Sequence, residues 1–429
     1  MRFLPTQEFM EVQTTYFPTQ EAIEAAAKKL KGVASITPLT KNLQYSKAFD
    51  CNVFFKREDL QVVRSYKIRG AYNKMASLTA TEIENGIVCS SAGNHAQGVA
   101  LSCKLLKIQG TIYMPAPTPN QKIEQVKMFG EDYINIILEG DTYDDSYHVA
   151  MIECERLNKT FIHPFNDKKV IEGQATVGLE ILNQTNLPID YLFVAVGGGG
   201  LSSGLSTIFK NRSPHTKVIG VEPEGAPSMT TSIRNNKNTE LKYIEKFVDG
   251  AAVQRVGDLN FAICKEYLAD MITVPEGKVC QTILDLYNKD AIVVEPAGAL
   301  SIAALDFYAE EIKGKNVVCI VSGSNNDITR TAEIKERALL YANLKHYFII
   351  KFPQRAGALR EFVVDILGPT DDITHFEYTK KVNRENDVAV VGLELKSPAH
   401  LEPLITKMKL NNFYGDYLND KPELFQFLI

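Results

Sequence analysis

The chain has 429 residues, 45% of them hydrophobic, enough to bury substantial cores in two to three domains. Its 47 basic and 52 acidic residues give a net charge of −5 and are mixed along the sequence, so there is no electrostatic footprint for nucleic acid or an anionic membrane, and the expected partner is a small molecule. Seven cysteines without a C-x-x-C pair read as buried reduced thiols, and seven histidines form no ligand-spaced cluster, so neither disulfides nor a metal are expected.

The start, Met1 to Glu8, lacks the apolar core of a signal peptide, and no later stretch approaches a membrane span, so a cytoplasmic protein is expected. Apolar runs at 53–56, 87–89, 111–114, 134–138, 192–196, 218–221 and 317–321 read as buried strands. They alternate with helical periodicity, which predicts a mainly parallel α/β architecture.

The first segment with chemical character is Ser65-Tyr66-Lys67-Ile68-Arg69-Gly70-Ala71-Tyr72. Ile68, Ala71, Tyr72 and Met75 recur at helical spacing, so Ser65 reads as an N-cap and Lys67 as part of a first turn. There the helix dipole and burial both disfavour an ammonium ion, so the amine can be neutral near pH 7 and form a Schiff base with an aldehyde. Taken alone, a solvated lysine beside Arg69 is the simpler reading.

Next, Cys89-Ser90-Ser91-Ala92-Gly93-Asn94-His95 leads from a strand into a helix that runs to Leu106. Ser91, Gly93 and Asn94 put small polar groups and free N–H donors where a carboxylate would bind, although Ser91 or Asn94 acting only as a cap fits equally well. In Val194 to Leu201 a buried run ends in Gly197, Gly198, Gly199 and Gly200 before a helical pattern resumes. Glycines let the backbone fold its N–H groups around an anion, and the loop is neither a dinucleotide fingerprint nor a P-loop, so a single phosphomonoester is expected. Finally, the strand from Asn316 places Ser322 at its carboxyl end, the edge where ligands sit in open α/β sheets; an ordinary turn serine fits as well. A lysine amine, a phosphate nest, a carboxylate-sized site and a strand-end hydroxyl together describe pyridoxal phosphate with an amino-acid substrate.

The pattern changes after Asn326. Residues 331–341 read as a connecting helix, 346–352 as a strand, 353–357 as a turn and 358–367 as an amphipathic helix. Residues 373–379 and 387–395 suit a hairpin around 383–386, followed by a helix from about 399 to 410 and a last strand near Phe413. This βαββαβ order is the ferredoxin-like α+β arrangement. The expected division is a catalytic region at 1–330, a connecting helix at 331–344 and a second domain at 345–429.

Five motifs, in order, resemble those of the threonine dehydratase family: Ser65 to Asn73, Ser91 to Gly98, Gly197 to Leu201, Asp249 to Val253, and Val294-Glu295-Pro296-Ala297-Gly298-Ala299. The likeness covers nearly the whole chain. It implies the tryptophan-synthase-β-like, fold type II architecture of pyridoxal-phosphate enzymes, in which a small domain, about 70–165, is clasped by a larger one with the cofactor between them. By the same resemblance Lys67 forms the Schiff base and, once freed by substrate, takes the α-proton. Asn94 meets the cofactor's ring oxygen, Gly197 to Leu201 hold its phosphate and Ser322 meets its ring nitrogen. Tyr66 stands where the family usually has Phe and keeps a ring beside the cofactor. Glu295 belongs to a Glu-Pro-Ser/Ala-Gly motif, with a dipole partner for its own helix as an equal reading. Residues 161–176 are expected near the site without an assigned role.

A hydroxyl at the ring nitrogen does not force a pyridinium, which favours elimination over transamination. Ala92, where serine racemase has a second serine, makes racemisation unexpected. The implied reaction converts threonine to 2-oxobutanoate and ammonia, the committed step toward isoleucine; serine would give pyruvate. The Pro353 to Phe362 segment resembles the ACT-like regulatory module of biosynthetic threonine dehydratases, which implies an amino-acid effector, isoleucine or else valine, and a homo-oligomer, a tetramer. A tail serving only assembly is the alternative for this module. For the whole chain the competing readings are a serine-preferring dehydratase, a β-replacement synthase of the same fold, and a silent amino-acid sensor. Intact Lys67, Asn94 and Ser322 argue against the sensor.

Overall fold

The computed structural model describes residues 16–353, 355–378, 386–421 and 423–425. The chain divides into two compact units: one runs to Glu276 and resumes at Asp290–Asn326, and the other combines Gly277–Lys289 with Asp327–Ile429. No helix among the described residues is long and apolar enough to cross a membrane.

Strands rich in Val, Ile and Phe with no polar face must be covered on both sides, and parallel sheets with helical crossovers meet that need. The first unit has two such sheets. In the larger, the strands lie in the order Leu39–Lys41, Asn52–Arg57, Asn316–Val321, Tyr191–Ala195, Lys217–Pro223 and Asp270–Val274, and only the first is antiparallel to its neighbour. In the smaller, the order is Ile134–Leu138, Gly110–Met114, Ile87–Ser90 and Thr160–Phe161, all parallel. All seven strands expected from the sequence are present, with ends shifted by no more than two residues. The unexpected ones, Leu39–Lys41, Thr160–Phe161 and Asp270–Val274, are either too short to show a pattern or lie at an edge with partly exposed residues.

Each sheet has its own core. Ile68, Ala71 and Met75 of the Lys67–Met75 helix pack with Ile87, Cys89, Val99 and Ile112 beside the smaller sheet. Leu192, Val194, Leu205, Ile208, Val318 and Ile320 pack beside the larger.

The opposite face of the Lys67–Met75 helix carries Arg69, Gly70 and Asn73, all buried. Gly70 crosses the Lys168–Gln184 helix at Gly173 so closely that a Cβ on Gly173 would lie 2.5 Å from the Arg69 carbonyl oxygen and 2.8 Å from Gly70 Cα. Arg69 donates to both oxygens of Glu58, at 2.7 and 2.8 Å, and to both oxygens of Glu180, at 2.7 and 3.0 Å. Lys56 completes the group, donating to Glu180 at 2.6 Å, to the Thr37 carbonyl at 2.7 Å and to Gln184 at 3.0 Å. Two cations and two carboxylates are thus neutralised inside the protein, with Arg69 1% and Lys56 and Glu58 0% exposed. Burial works to raise the Glu58 carboxyl, and the Arg69 guanidinium, with Lys56 and the Thr37 hydroxyl, outweighs it and holds the group below its ordinary value.

The second unit has the expected βαββαβ order. Its antiparallel sheet runs Asp372–Tyr378, Asn386–Glu394, Lys345–Pro353 and Tyr414–Tyr417, and Phe348, Ile350, Phe362, Val391, Leu393 and Met408 share one core with residues of the Leu401–Leu410 helix. The Thr331–Tyr341 helix has the expected bounds. The helix expected over 358–367 is regular only at Ala358–Glu361 and widens at Phe362–Ile366, where the Leu367 N–H donates to the Phe362 carbonyl five residues back. The β-branched pair Val363 and Val364 disfavours a tight α-turn, and the wider one still buries both Phe362 and Ile366. The hairpin tip expected at 383–386 lies outside the described residues except for Asn386, as does Gln354 of the expected turn.

Arg69→Met strands Glu58 in the interior without its cation. It is expected to cost ~3–5 kcal/mol, the range for breaking one side of a buried pair, seen as an early urea unfolding transition. Arg69→Met combined with Glu58→Gln should recover part of that loss, and a single-variant effect below ~1 kcal/mol would contradict the role given to the network.

Candidate active site

The chain enters the Lys67–Met75 helix stitched to the end of the central strand. Ser65 forms an isolated antiparallel bridge with Gly323, and the Tyr66 N–H donates to the Ser322 carbonyl at 3.2 Å. This corrects the expectation that Ser65 caps the helix: the N-cap is Tyr66, with no side-chain cap, and the Ser65 hydroxyl is buried without a partner among the described residues. The long-range bridge, which local spacing does not reveal, holds Ser65 one position too early to cap.

Lys67 is therefore the first helical residue, and its Nζ donates to the Pro164 carbonyl at 2.9 Å. Burial pulls the amine down to about 8 from an ordinary 10.5, with the Glu295 carboxyl working in the other direction. Its Nζ also lies 5.4 Å from the centre of the Tyr66 ring.

Asn94 opens the Asn94–Leu106 helix, whose N-cap is Gly93 with no side-chain cap. Neither Ser91 nor Asn94 caps it: the Ser91 hydroxyl accepts from the Gly93 N–H at 3.2 Å. The Asn94 amide donates to Glu295 at 2.6 Å and accepts from Asn325 at 2.5 Å. Glu295 is the N-cap residue of the Pro296–Ala303 helix, makes no side-chain cap hydrogen bond there, and lines the cavity with its carboxyl. Burial and the nearby Asp249 push Glu295 up to about 7, against the Asn94 hydrogen bond.

The glycine run bridges strand Tyr191–Ala195 and helix Gly200–Arg212. Gly199 has φ +92°, a left-handed conformation natural to glycine, and a Cβ on Gly198 would fall 2.2 Å from the Phe165 ring. The back of the nest is thus closed by Phe165, from the same 163–166 loop whose Pro164 holds Lys67. Leu201 is buried in the core of the larger sheet, so only its backbone is available to a ligand.

A cavity of about 670 Å³ opens between the two sheets of this unit, lined among others by Lys67, Ser91, Gly93, Asn94, Gly198 and Glu295. A recess of about 20 Å³ adjoins it at Tyr66, Lys67, Gly197 and Ser322, where the Ser322 hydroxyl donates to the Ala297 carbonyl at 3.2 Å. Of the candidate site residues, Gly199, Gly200 and Leu201 line neither space. His163, Pro164, Asn325 and Lys122 carry no motif that assigns them a role, although the first two fall in the 161–176 segment expected near the site. Lys122, on the Asn120–Gly130 helix, reaches Asp249 at 3.0 Å at the cavity wall. Pro164 acts through a carbonyl that has no sequence signature.

Comparison with known proteins bears on this geometry. A family model described as pyridoxal-phosphate dependent enzyme matches residues 31–323, and one described as the C-terminal regulatory domain of threonine dehydratase matches residues 336–428. The chain is 55% identical over 409 residues to the L-threonine dehydratase biosynthetic IlvA of Halalkalibacterium halodurans, covering 95% of this chain and 99% of that one. It is 55% identical over 404 residues to the protein of the same name from Bacillus subtilis, covering 94% of this chain and 96% of that one. Among solved structures it is similar to the processed form of threonine deaminase isoform 2 from Solanum lycopersicum, with a TM-score of 0.71, 38% identity, and 76% of this chain and 90% of that chain covered.

In cofactor-free protein, the pH dependence of Lys67 labelling by an amine-reactive reagent should have a midpoint near 8, well below the ordinary 10.5. A carboxylate stabilises the neighbouring ammonium, so Glu295→Gln should move that midpoint lower. A midpoint near the ordinary value, or an upward move in the variant, would contradict this electrostatic account.

Proposed function

The chain belongs to the pyridoxal-phosphate-dependent enzymes and, among them, to the threonine dehydratases, and on that footing we propose that it converts L-threonine to 2-oxobutanoate and ammonia, with Lys67 as the group that carries the cofactor and moves the substrate's α-proton. The observation that carries the assignment of Lys67 is its place in one cavity with the Ser91 to Asn94 turn and the Gly198 nest, with an amine lowered to about 8.

The residues present suit pyridoxal phosphate on structural grounds. Gly197 and Gly198 face the two spaces without a Cβ, the Gly200–Arg212 helix begins beside them, and the Ser322 hydroxyl faces the recess that also holds Lys67. When bound, the cofactor supplies an aldehyde for the substrate amine and a conjugated ring that accepts the electron pair left by the α-proton. The rest is done by the chain. The Pro164 carbonyl accepts one N–H of Lys67 and leaves the lone pair of the neutral amine free to take a proton. Ser91, the Gly93 N–H and Asn94 bind the substrate carboxylate at a helix N-terminus. Gly197 to Leu201 hold the phosphate through backbone N–H groups, and Ser322 offers a neutral hydroxyl to the ring nitrogen. Asn94 serves the ring oxygen, with Glu295 and Asn325 orienting its amide. Tyr66 walls the recess.

The match to the regulatory-domain family supports feedback control of the reaction. The reading takes isoleucine as the effector, with valine as the alternative, and takes the protein as a cytoplasmic homotetramer; the family resemblance supports these points. Residues 1–330 are the catalytic region, 331–344 the connecting helix and 345–429 the ACT-like domain in this reading.

Keto-acid identification with threonine and with serine, each with and without isoleucine, tests the proposal. Threonine should give 2-oxobutanoate faster than serine gives pyruvate, isoleucine should lower the rate, and Lys67→Ala should lose at least ~10³-fold in kcat. Pyruvate as the sole product would favour a serine dehydratase, and no keto acid at all would favour a sensor.

A further inference from the structure

His163 lines the cavity with Lys67 but has no place in the scheme above. The strand Thr160–Phe161 pairs in parallel with Ile87–Val88, and the Ile162 N–H donates to the Val88 carbonyl, so continuing the register brings His163 alongside Ser90 at the carboxyl end of the smaller sheet. That is the start of the Ser91 to Asn94 turn. On the other side, Pro164 holds the Lys67 amine.

The ring's tautomer follows from its contacts. Nδ1 accepts two backbone hydrogen bonds, from the Asn166 N–H at 2.8 Å and the Phe165 N–H at 3.2 Å, so Nδ1 carries no proton and the neutral ring bears it on Nε2. Nε2 has no protein acceptor among the described residues. Burial pulls the imidazole down to about 4, with Asp167 working against it and Lys67 with it, so the ring is neutral at physiological pH. An N–H fixed in direction, uncharged and without a partner is a donor awaiting a ligand, because a neutral ring this far below neutrality serves as a hydrogen-bond donor and not as an acid.

We propose that His163 is a substrate-positioning residue whose Nε2–H donates to the substrate carboxylate bound at the Ser91 to Asn94 turn. The proposal rests on the amino-acid lyase reading above. The carboxylate is the acceptor of choice because His163 stands beside that turn and a charge-assisted bond rewards a fixed neutral donor. The group adds no charge to the cavity, so it orients the carboxylate without competing with Lys67 for its proton.

Two full-length holoenzyme variants separate this role from a structural one. His163→Asn places an amide oxygen where Nδ1 accepts from Phe165 and Asn166 and removes the donor; His163→Gln keeps an amide donor at the Nε2 position. His163→Asn should raise KM for threonine ~10–100-fold, as expected for one charged hydrogen bond, while cofactor binding by equilibrium dialysis and thermal unfolding stay as in the wild type. His163→Gln should recover most of the loss. With β-chloro-L-alanine, which keeps the carboxylate and lacks the β-hydroxyl, His163→Asn should show the same rise in KM. A loss confined to the hydroxylated substrates would overturn the carboxylate assignment. Unchanged KM in His163→Asn, or weakened cofactor binding with no rescue by Gln, would overturn the positioning role. If the wild type itself forms no keto acid, it is the lyase reading that fails.

Discussion

The site depends first on how the Lys67–Met75 helix is held. Two residues beyond Lys67, Arg69 bonds both oxygens of Glu58 and both of Glu180, and Gly70 meets Gly173 at a distance no Cβ would allow. The helix is thus bolted to the Lys168–Gln184 helix on one face while its other face forms part of the smaller sheet's core. Its N-terminus is left one orientation, fixed again by the Ser65 to Gly323 bridge. A buried ion pair stabilises little against apolar residues of the same volume, so the reason to keep this quartet is geometric: it sets where one amine points.

The second constraint is the 163–166 loop. Pro164 accepts from Lys67, Phe165 packs against Gly198 and Asn166 accepts from the Leu259 N–H, so a four-residue loop couples the amine to the glycine run. Burial acts on the titratable groups around it in one sense. It lowers Lys67 to about 8 and His163 to about 4 and raises Glu295 to about 7, each toward its uncharged form. Each shift lessens the charge held around the loop, so the charges brought by ligands are met by directed N–H groups in a medium of low dielectric, where such groups count most.

The fold was largely legible because its strands are uninterrupted apolar runs, and the candidate site residues were legible from local pattern: Lys67 at a helix start, the Ser91 to Asn94 turn and the glycine run between a strand and a helix, and Ser322 at a strand end. What escaped is held by distant partners. Ser65 looks like a cap until its bridge to Gly323 is seen, and Arg69 looks solvated until Glu180, 111 residues away, is brought to it. Glu295 had two equal readings, and its contact with Asn94, across 201 residues, is visible only in the fold. Leu201 follows the nest in sequence, yet its side chain turns into the core. The Pro164 carbonyl and the tautomer of His163 are properties of backbone placement, which no residue pattern encodes.

The central claim is that Lys67, alone among the chain's lysines, bears the cofactor. Borohydride reduction of the purified holoenzyme followed by peptide mass mapping tests it directly. The account predicts a pyridoxyl phosphate mass on the peptide containing Lys67 and on no other; the same mass on a different lysine, or a Lys67 peptide left unmodified in holoenzyme, would contradict it.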